Sequence, residues 1–128
     1  AAAPRQPEPK ILVADDDPAV RELLTRLLAR YGLPVESVAD FAETLAALRR
    51  APPRLLLCDL HMPGAGAFDF FRRIESEGLI GGVAVVVVSG SPPGPNVEAY
   101  IRERGWPYLG KPFELGAFHA AVAAVLSR

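Results

Sequence analysis

Three stretches of this chain are apolar without a break: Ile11-Leu12-Val13-Ala14, Leu55-Leu56-Leu57-Cys58 and Val83 through Val88. A half-buried strand alternates apolar and polar residues, so runs like these belong to strands covered on both faces. Amphipathic segments fall between them. Covered strands separated by helices constrain the chain to an α/β architecture with a parallel sheet, because each parallel neighbour needs a long crossover.

The helical segments carry their own start and stop signals. Asp17-Pro18 supplies an N-cap and a first-turn proline, Val20, Leu23, Leu24, Leu27 and Leu28 form an apolar stripe, and Gly32 stops that helix. Asp40 with Glu43 reads as a capping box, Phe41, Leu45 and Leu48 face inward, and Pro52-Pro53 ends the second helix. A third carries Phe68, Phe71 and Ile74 and stops at Gly78; a fourth starts near Pro95-Asn96 with Val97, Tyr100 and Ile101 and stops at Gly105. The fifth aligns Leu115, Phe118, Val122, Val125 and Leu126.

Two further strand candidates, Leu33 to Ala39 and Trp106 to Gly110, are mixed in character and contain Pro34 and Pro107, which suits sheet edges. Right-handed crossovers with the first, third and fourth strands inside give the order 2-1-3-4-5, the flavodoxin-like arrangement of a single doubly wound (βα)5 sheet. Ligands bind at the carboxyl ends of such strands. Those ends are polar here: Asp15-Asp16, Asp59, Ser89 and Lys111 each follow an apolar run. Three carboxylates, a hydroxyl and an ammonium on one rim call for a shared cation, and a hard divalent ion suits the oxygen ligands.

Composition narrows the function classes. With 128 residues and 50% hydrophobic content the chain suits one domain, expected over residues 10–128. Residues 1–9, with three Ala and Pro4, Pro7 and Pro9, read as a flexible tail or linker. The missing initial Met fits either a tag remnant or a linker from a longer protein. A balance of 14 basic against 15 acidic residues gives a net charge of −1, which offers no field for nucleic acid or an anionic membrane. No apolar run is long enough for a bilayer span, no signal peptide is evident, and Cys58 is a single cysteine, so a cytoplasmic location is expected.

The motifs Ile11-Leu12-Val13-Ala14-Asp15-Asp16-Asp17-Pro18, Cys58-Asp59-Leu60-His61-Met62-Pro63-Gly64, Val88-Ser89-Gly90 and Lys111-Pro112-Phe113 stand in order along the chain. Together they resemble the receiver domains of two-component response regulators from Lys10 to Arg128. The resemblance implies that Asp59 accepts a phosphoryl group, that Asp15, Asp16 and Asp59 hold Mg²⁺ with the backbone carbonyl of His61, and that Lys111 contacts the phosphoryl group. It also implies that Ser89 and Tyr108 form a switch, that Lys111-Pro112 is a cis peptide, and that the α4-β5-α5 face carries the signal.

Partners implied by the resemblance are a histidine kinase or histidine phosphotransfer protein, an output domain or downstream protein, and a second copy on phosphorylation. Neither direct nucleic-acid binding nor membrane association is expected. Such a domain takes part in its own phosphorylation and hydrolyses the product slowly, and is not an enzyme in the ordinary sense. We expect the His61 side chain to tune that hydrolysis, Asp17 to act only as a helix cap, and Cys58 to be a buried strand residue.

The chain departs from the family in two places. Gly66-Ala67 stands where Asp-Gly is usual, and Ser91-Pro92-Pro93-Gly94-Pro95 is unusually rich in proline just after Ser89. A haloacid dehalogenase-type enzyme shares the Asp-x-Asp spacing, but Pro18-Ala19 do not continue its motif and no late acidic pair follows. A flavin module shares the sheet order, but Asp15-Asp16-Asp17 would repel its phosphate. The remaining alternative is a phosphorylation-independent interaction module of the same fold.

Overall fold

A computed structural model describes residues 8–64 and 66–127. Strand and helix alternate through β1 (Glu8–Ala14), α1 (Pro18–Leu28), β2 (Val35–Val38), α2 (Phe41–Arg50), β3 (Pro53–Cys58), α3 (Ala67–Ser76), β4 (Ala84–Ser89), α4 (Pro95–Arg104), β5 (Tyr108–Gly110) and α5 (Leu115–Leu126). A short 3₁₀ turn, Ala29–Tyr31, extends α1 to Gly32, whose positive φ of 73° closes it. The five strands are parallel in the order β2-β1-β3-β4-β5, as the sequence predicts.

Alternate residues of each central strand feed opposite cores. Leu12, Leu56, Val85 and Val87 pack toward α2, α3 and α4, whereas Ile11, Leu55, Val86 and Val88 pack toward α1 and α5. Both sets are essentially inaccessible to solvent, which is why these runs contain no polar residue. On the first side Phe71 stacks on Tyr100 and meets Trp106 edge-on.

The caps form largely as their residues dictate. Asp17 accepts a hydrogen bond from Ala19 N–H, and Asp40 accepts one from Glu43 N–H at 2.7 Å. Glu43 reaches back to Ala39 N–H, one residue before the cap. Pro34 and Pro107 lie just outside β2 and β5 and enter the ladder as acceptors, from Ile11 N–H and Val87 N–H respectively.

Several expectations are corrected. Leu23 and Leu115 are exposed although each belongs to the apolar stripe of its helix. Phe70 is buried where the sequence pointed to Phe68, which is half-buried at the margin of the core. Of the expected tail, residues 1–7 lie outside the described residues, while Glu8 and Pro9 already belong to β1. The ladder is irregular there, and Glu8 N–H donates to Pro52 O across a register shift.

Candidate functional site

Register builds the site. Ala14 of β1 is paired with Cys58 of β3, so the next residues, Asp15 and Asp59, leave the sheet side by side, and Asp59 N–H donates to Ala14 O at 2.9 Å. Ser89 is paired with Gly110 at the ends of β4 and β5, which delivers Lys111 to the same rim, its N–H bonded to Ser89 O at 2.8 Å. The sequence predicts this gathering, and all five polar residues meet there.

Asp15 and Asp59 are buried, with 1% and 5% of their surfaces exposed, while Asp16 faces solvent. Oxygens of the three carboxylates lie within 4.8 Å of one another. Lys111 Nζ donates to Asp15 Oδ2 at 2.6 Å and to Asp59 Oδ2 at 3.3 Å. Asp15 Oδ1 accepts from Asp17 N–H at 2.9 Å, and Asp59 Oδ1 accepts from His61 N–H at 3.2 Å.

Lys111 alone does not balance the charge of the three acids. Three carboxylates against one ammonium leave a formal −2 among these four residues. Burial pushes the Asp15 carboxyl above its ordinary value, with the Lys111 hydrogen bond opposing and Asp59 adding to the rise. Burial pulls Lys111 down, yet its hydrogen bond to Asp15 and the attraction of Asp59 outweigh it, so its ammonium is held above the usual range. The donor set is all oxygen, clustered, partly desolvated and short of two positive charges, which fits a hard divalent cation such as Mg²⁺.

Ser89 is buried, and its hydroxyl makes a long bond of 3.4 Å to Ser91 O. The same carbonyl accepts from Tyr108 Oη–H at 3.1 Å, so both expected switch hydroxyls share one acceptor. Tyr108 is turned outward, 39% exposed. It helps line a groove of about 510 Å³ with Pro92, Pro93, Ile101 and Trp106. The proline-rich segment therefore forms part of the surface beside the switch, and α4 still begins at Pro95.

His61 reaches the site through its main-chain N–H, its side chain being exposed. Lys111-Pro112 is a cis peptide, as the resemblance implies. Burial raises the Cys58 thiol far above its usual range, helped by the charges of Asp59 and Asp15, and its Sγ–H donates to Asp59 O. One contact was not legible in the sequence: Arg21 Nη1 donates to Asp15 O at 2.7 Å. The signal available was a basic residue on the first turns of α1, six positions after the acid.

Comparison with known proteins agrees with this geometry. The family described as response regulator receiver domain matches residues 11–123. The DNA-binding response regulator MtrA of Mycolicibacterium smegmatis is 32% identical over 93% of this chain and 51% of its own length. The transcriptional regulatory protein GltR of Pseudomonas aeruginosa is 30% identical over 92% of this chain and 49% of its own. This chain thus spans about half the length of those relatives. Among solved structures, chemotaxis response regulator CheY4 of Vibrio cholerae aligns with a TM-score of 0.77 at 23% identity, covering 91% of this chain and 97% of that one. A CheY-like receiver domain protein from Methanospirillum hungatei gives 0.80 at 24%, covering 92% and 93%.

Proposed function

This chain belongs to the response regulator receiver domain family, and we propose that it accepts a phosphoryl group on Asp59 from a phosphohistidine of a histidine kinase or phosphotransfer protein. The observation that carries the reading is the buried Asp59 carboxylate, 3.3 Å from the Lys111 ammonium within a cluster of three acids.

A carboxylate oxygen of Asp59 attacks phosphorus, the bond from phosphorus to the donor imidazole nitrogen breaks, and its electron pair stays with the imidazole, which is protonated from solvent. Negative charge on the transferring group must be neutralised throughout. Lys111 supplies one positive charge at the rim, and the hydroxyl of Ser89, at the end of β4 on the same rim, donates to a phosphoryl oxygen. Asp15, Asp16 and Asp59, with the His61 carbonyl, would hold Mg²⁺, which when bound supplies the remaining charge neutralisation.

Once Ser89 turns to the phosphoryl group it leaves the Ser91 carbonyl and vacates space at the rim, and the Tyr108 ring gives up its own bond to that carbonyl to turn inward. The α4-β5-α5 face then changes for an output domain, a downstream protein or a second copy. The domain works in the cytoplasm, where the kinase is charged, and loses its phosphoryl group by slow intrinsic hydrolysis.

Incubation with acetyl phosphate, with and without Mg²⁺, followed by intact-mass measurement tests this directly. The expected result is a Mg²⁺-dependent gain of one phosphoryl group that is absent in Asp59→Asn. No gain in either protein overturns the reading in favour of the phosphorylation-independent interaction module.

A further inference from the structure

Every polar group of Asp15 is tied to a different part of the fold. Its N–H donates to Val38 O beyond β1 at 3.1 Å, its Oδ1 accepts from Asp17 N–H at 2.9 Å, its Oδ2 accepts from Lys111 at 2.6 Å, and its carbonyl accepts from Arg21 at 2.7 Å. Asp16 has no such support. Its side chain is exposed, and among the described residues no hydrogen bond reaches it. Yet its carboxylate oxygen stands within 4.8 Å of those of Asp15 and Asp59.

An unsupported carboxylate takes its place from the backbone beneath it. The peptide plane between Asp15 and Asp16 sets the N–Cα axis about which the Asp16 side chain is carried, so a shift of that plane moves the carboxylate with it. The oxygen of that plane is the atom Arg21 holds. Arg21 is itself anchored, because its N–H donates to Asp17 O in the first turn of α1. Its side chain is only half-buried, so the guanidinium is not needed to fill the core.

We propose that Arg21 is a positioning residue for the metal site: by holding the Asp15 carbonyl, it keeps the Asp16 carboxylate turned toward Asp15 and Asp59. This rests on the phosphoacceptor reading above, since it assigns the three acids to one shared cation. Arg21 touches neither phosphoryl group nor metal and acts through the peptide plane. A guanidinium suits the task, giving a charge-assisted bond to a neutral carbonyl from a side chain long enough to cross from α1 to the β1 rim.

Calorimetric titration of the full chain with MgCl₂ tests it, using Arg21→Met, which keeps the aliphatic stem and removes the donor. Loss of an outer-shell orienting group weakens metal affinity about tenfold or more, and about tenfold is expected here. Arg21→Lys, which retains a donor, recovers most of that loss. In an Asp16→Asn background the Arg21→Met exchange has little further effect, because the group it positions no longer binds; a merely structural role for Arg21 predicts the same loss in both backgrounds. Without metal, the Asp16 and Asp17 amide resonances shift in Arg21→Met and stay near wild type in Arg21→Lys.

Equal affinity in wild type and Arg21→Met overturns the proposal, as does an undiminished loss in Asp16→Asn. If Arg21→Met does not fold, the amide shifts of Arg21→Lys and Arg21→Gln decide: wild-type shifts in Gln, which is too short to keep the bond, overturn it. A wild-type protein that binds no Mg²⁺ at millimolar concentration removes this proposal and the phosphoacceptor reading together, whereas binding that ignores Arg21 removes this one alone.

Discussion

Lys111 and Asp15 are joined by a 2.6 Å contact from Nζ to Oδ2, while Asp59 lies 3.3 Å from the same ammonium. The ammonium holds an expected metal ligand more closely than the expected phosphoacceptor. In this arrangement Lys111 is the counter-ion of the acid cluster, and a cation or phosphoryl group entering the rim changes its partners.

Removing that counter-ion leaves two buried carboxylates facing each other. Lys111→Met therefore lowers stability at neutral pH by about 1–3 kcal/mol, less than a fully buried pair would lose because the Lys111 side chain keeps 21% exposure. The deficit shrinks when Mg²⁺ is added or the pH is lowered, since either a cation or a proton then replaces the ammonium. Thermal melts with and without MgCl₂, at neutral and mildly acidic pH, check this; a midpoint unchanged by the substitution would deny Lys111 its counter-ion role.

The pH dependence of folding has opposing parts. Glu36, hydrogen-bonded to Lys10 and, against some burial, to Arg50, has a carboxyl below its ordinary 4.5; its contribution is present above 4.5 and lost as pH falls through the lower folded value. Asp15 runs the other way, because burial lifts it above 3.8 and its ionisation costs stability at neutral pH. Lys111, raised above 10.5, contributes below that value and loses its contribution as pH climbs through the higher folded one. Asp15→Asn is therefore expected to melt higher than wild type at neutral pH without Mg²⁺, and Glu36→Gln to flatten the acid limb. Melting curves across the pH range measure both.

The sequence made the sheet legible because burial on both faces leaves its mark on the apolar runs at the centre of β1, β3 and β4, and the polar residue ending each run lies on one rim. Helix rotation is written less firmly. A stripe of leucines says which side of α1 is apolar but not how far burial reaches around it, so Leu23, like Leu115 on α5, belongs to an apolar stripe and is exposed. Arg21 and Ser91 escaped for a different reason. Each acts through a main-chain carbonyl, and a carbonyl has no sequence signature.

Tyr108 and Ser89 meet at the Ser91 carbonyl. Tyr108→Phe removes an exposed hydrogen bond and should cost no more than about 1 kcal/mol. Its larger effect is on the switch: with beryllofluoride and Mg²⁺, the ring resonance of Tyr108 shifts in wild type and stays put in Ser89→Ala, where no hydroxyl can leave the shared carbonyl. An unresponsive Tyr108 in wild type would remove it from the switch.

Cys58 lies beside Asp59 but is closed to solvent, and its thiol is driven far above its usual range, first by burial and then by Asp59 and Asp15. Thiolate is the reactive form. Disulfide-exchange reagents are expected to label it only at the rate of unfolding, with the same dependence on denaturant. Fast labelling of the native protein would contradict that.

His61 gives its main-chain N–H to Asp59 and leaves its side chain in solvent. The ring follows Asp59, the proposed acceptor, by two residues and is exposed, so it does not cover that carboxylate. A group in that position affects hydrolysis by orienting or deprotonating the attacking water, not by shielding the phosphorus. His61→Ala is therefore expected to lengthen the phosphoaspartate lifetime about threefold, ~0.7 kcal/mol of barrier, with Mg²⁺ affinity unaltered because any metal contact of His61 uses the main chain. His61→Gln, which can still accept a proton-bridged water, falls between the two. Phosphate release from the purified phosphoprotein measures all three lifetimes, and identical values would confine His61 to its main-chain contact with Asp59.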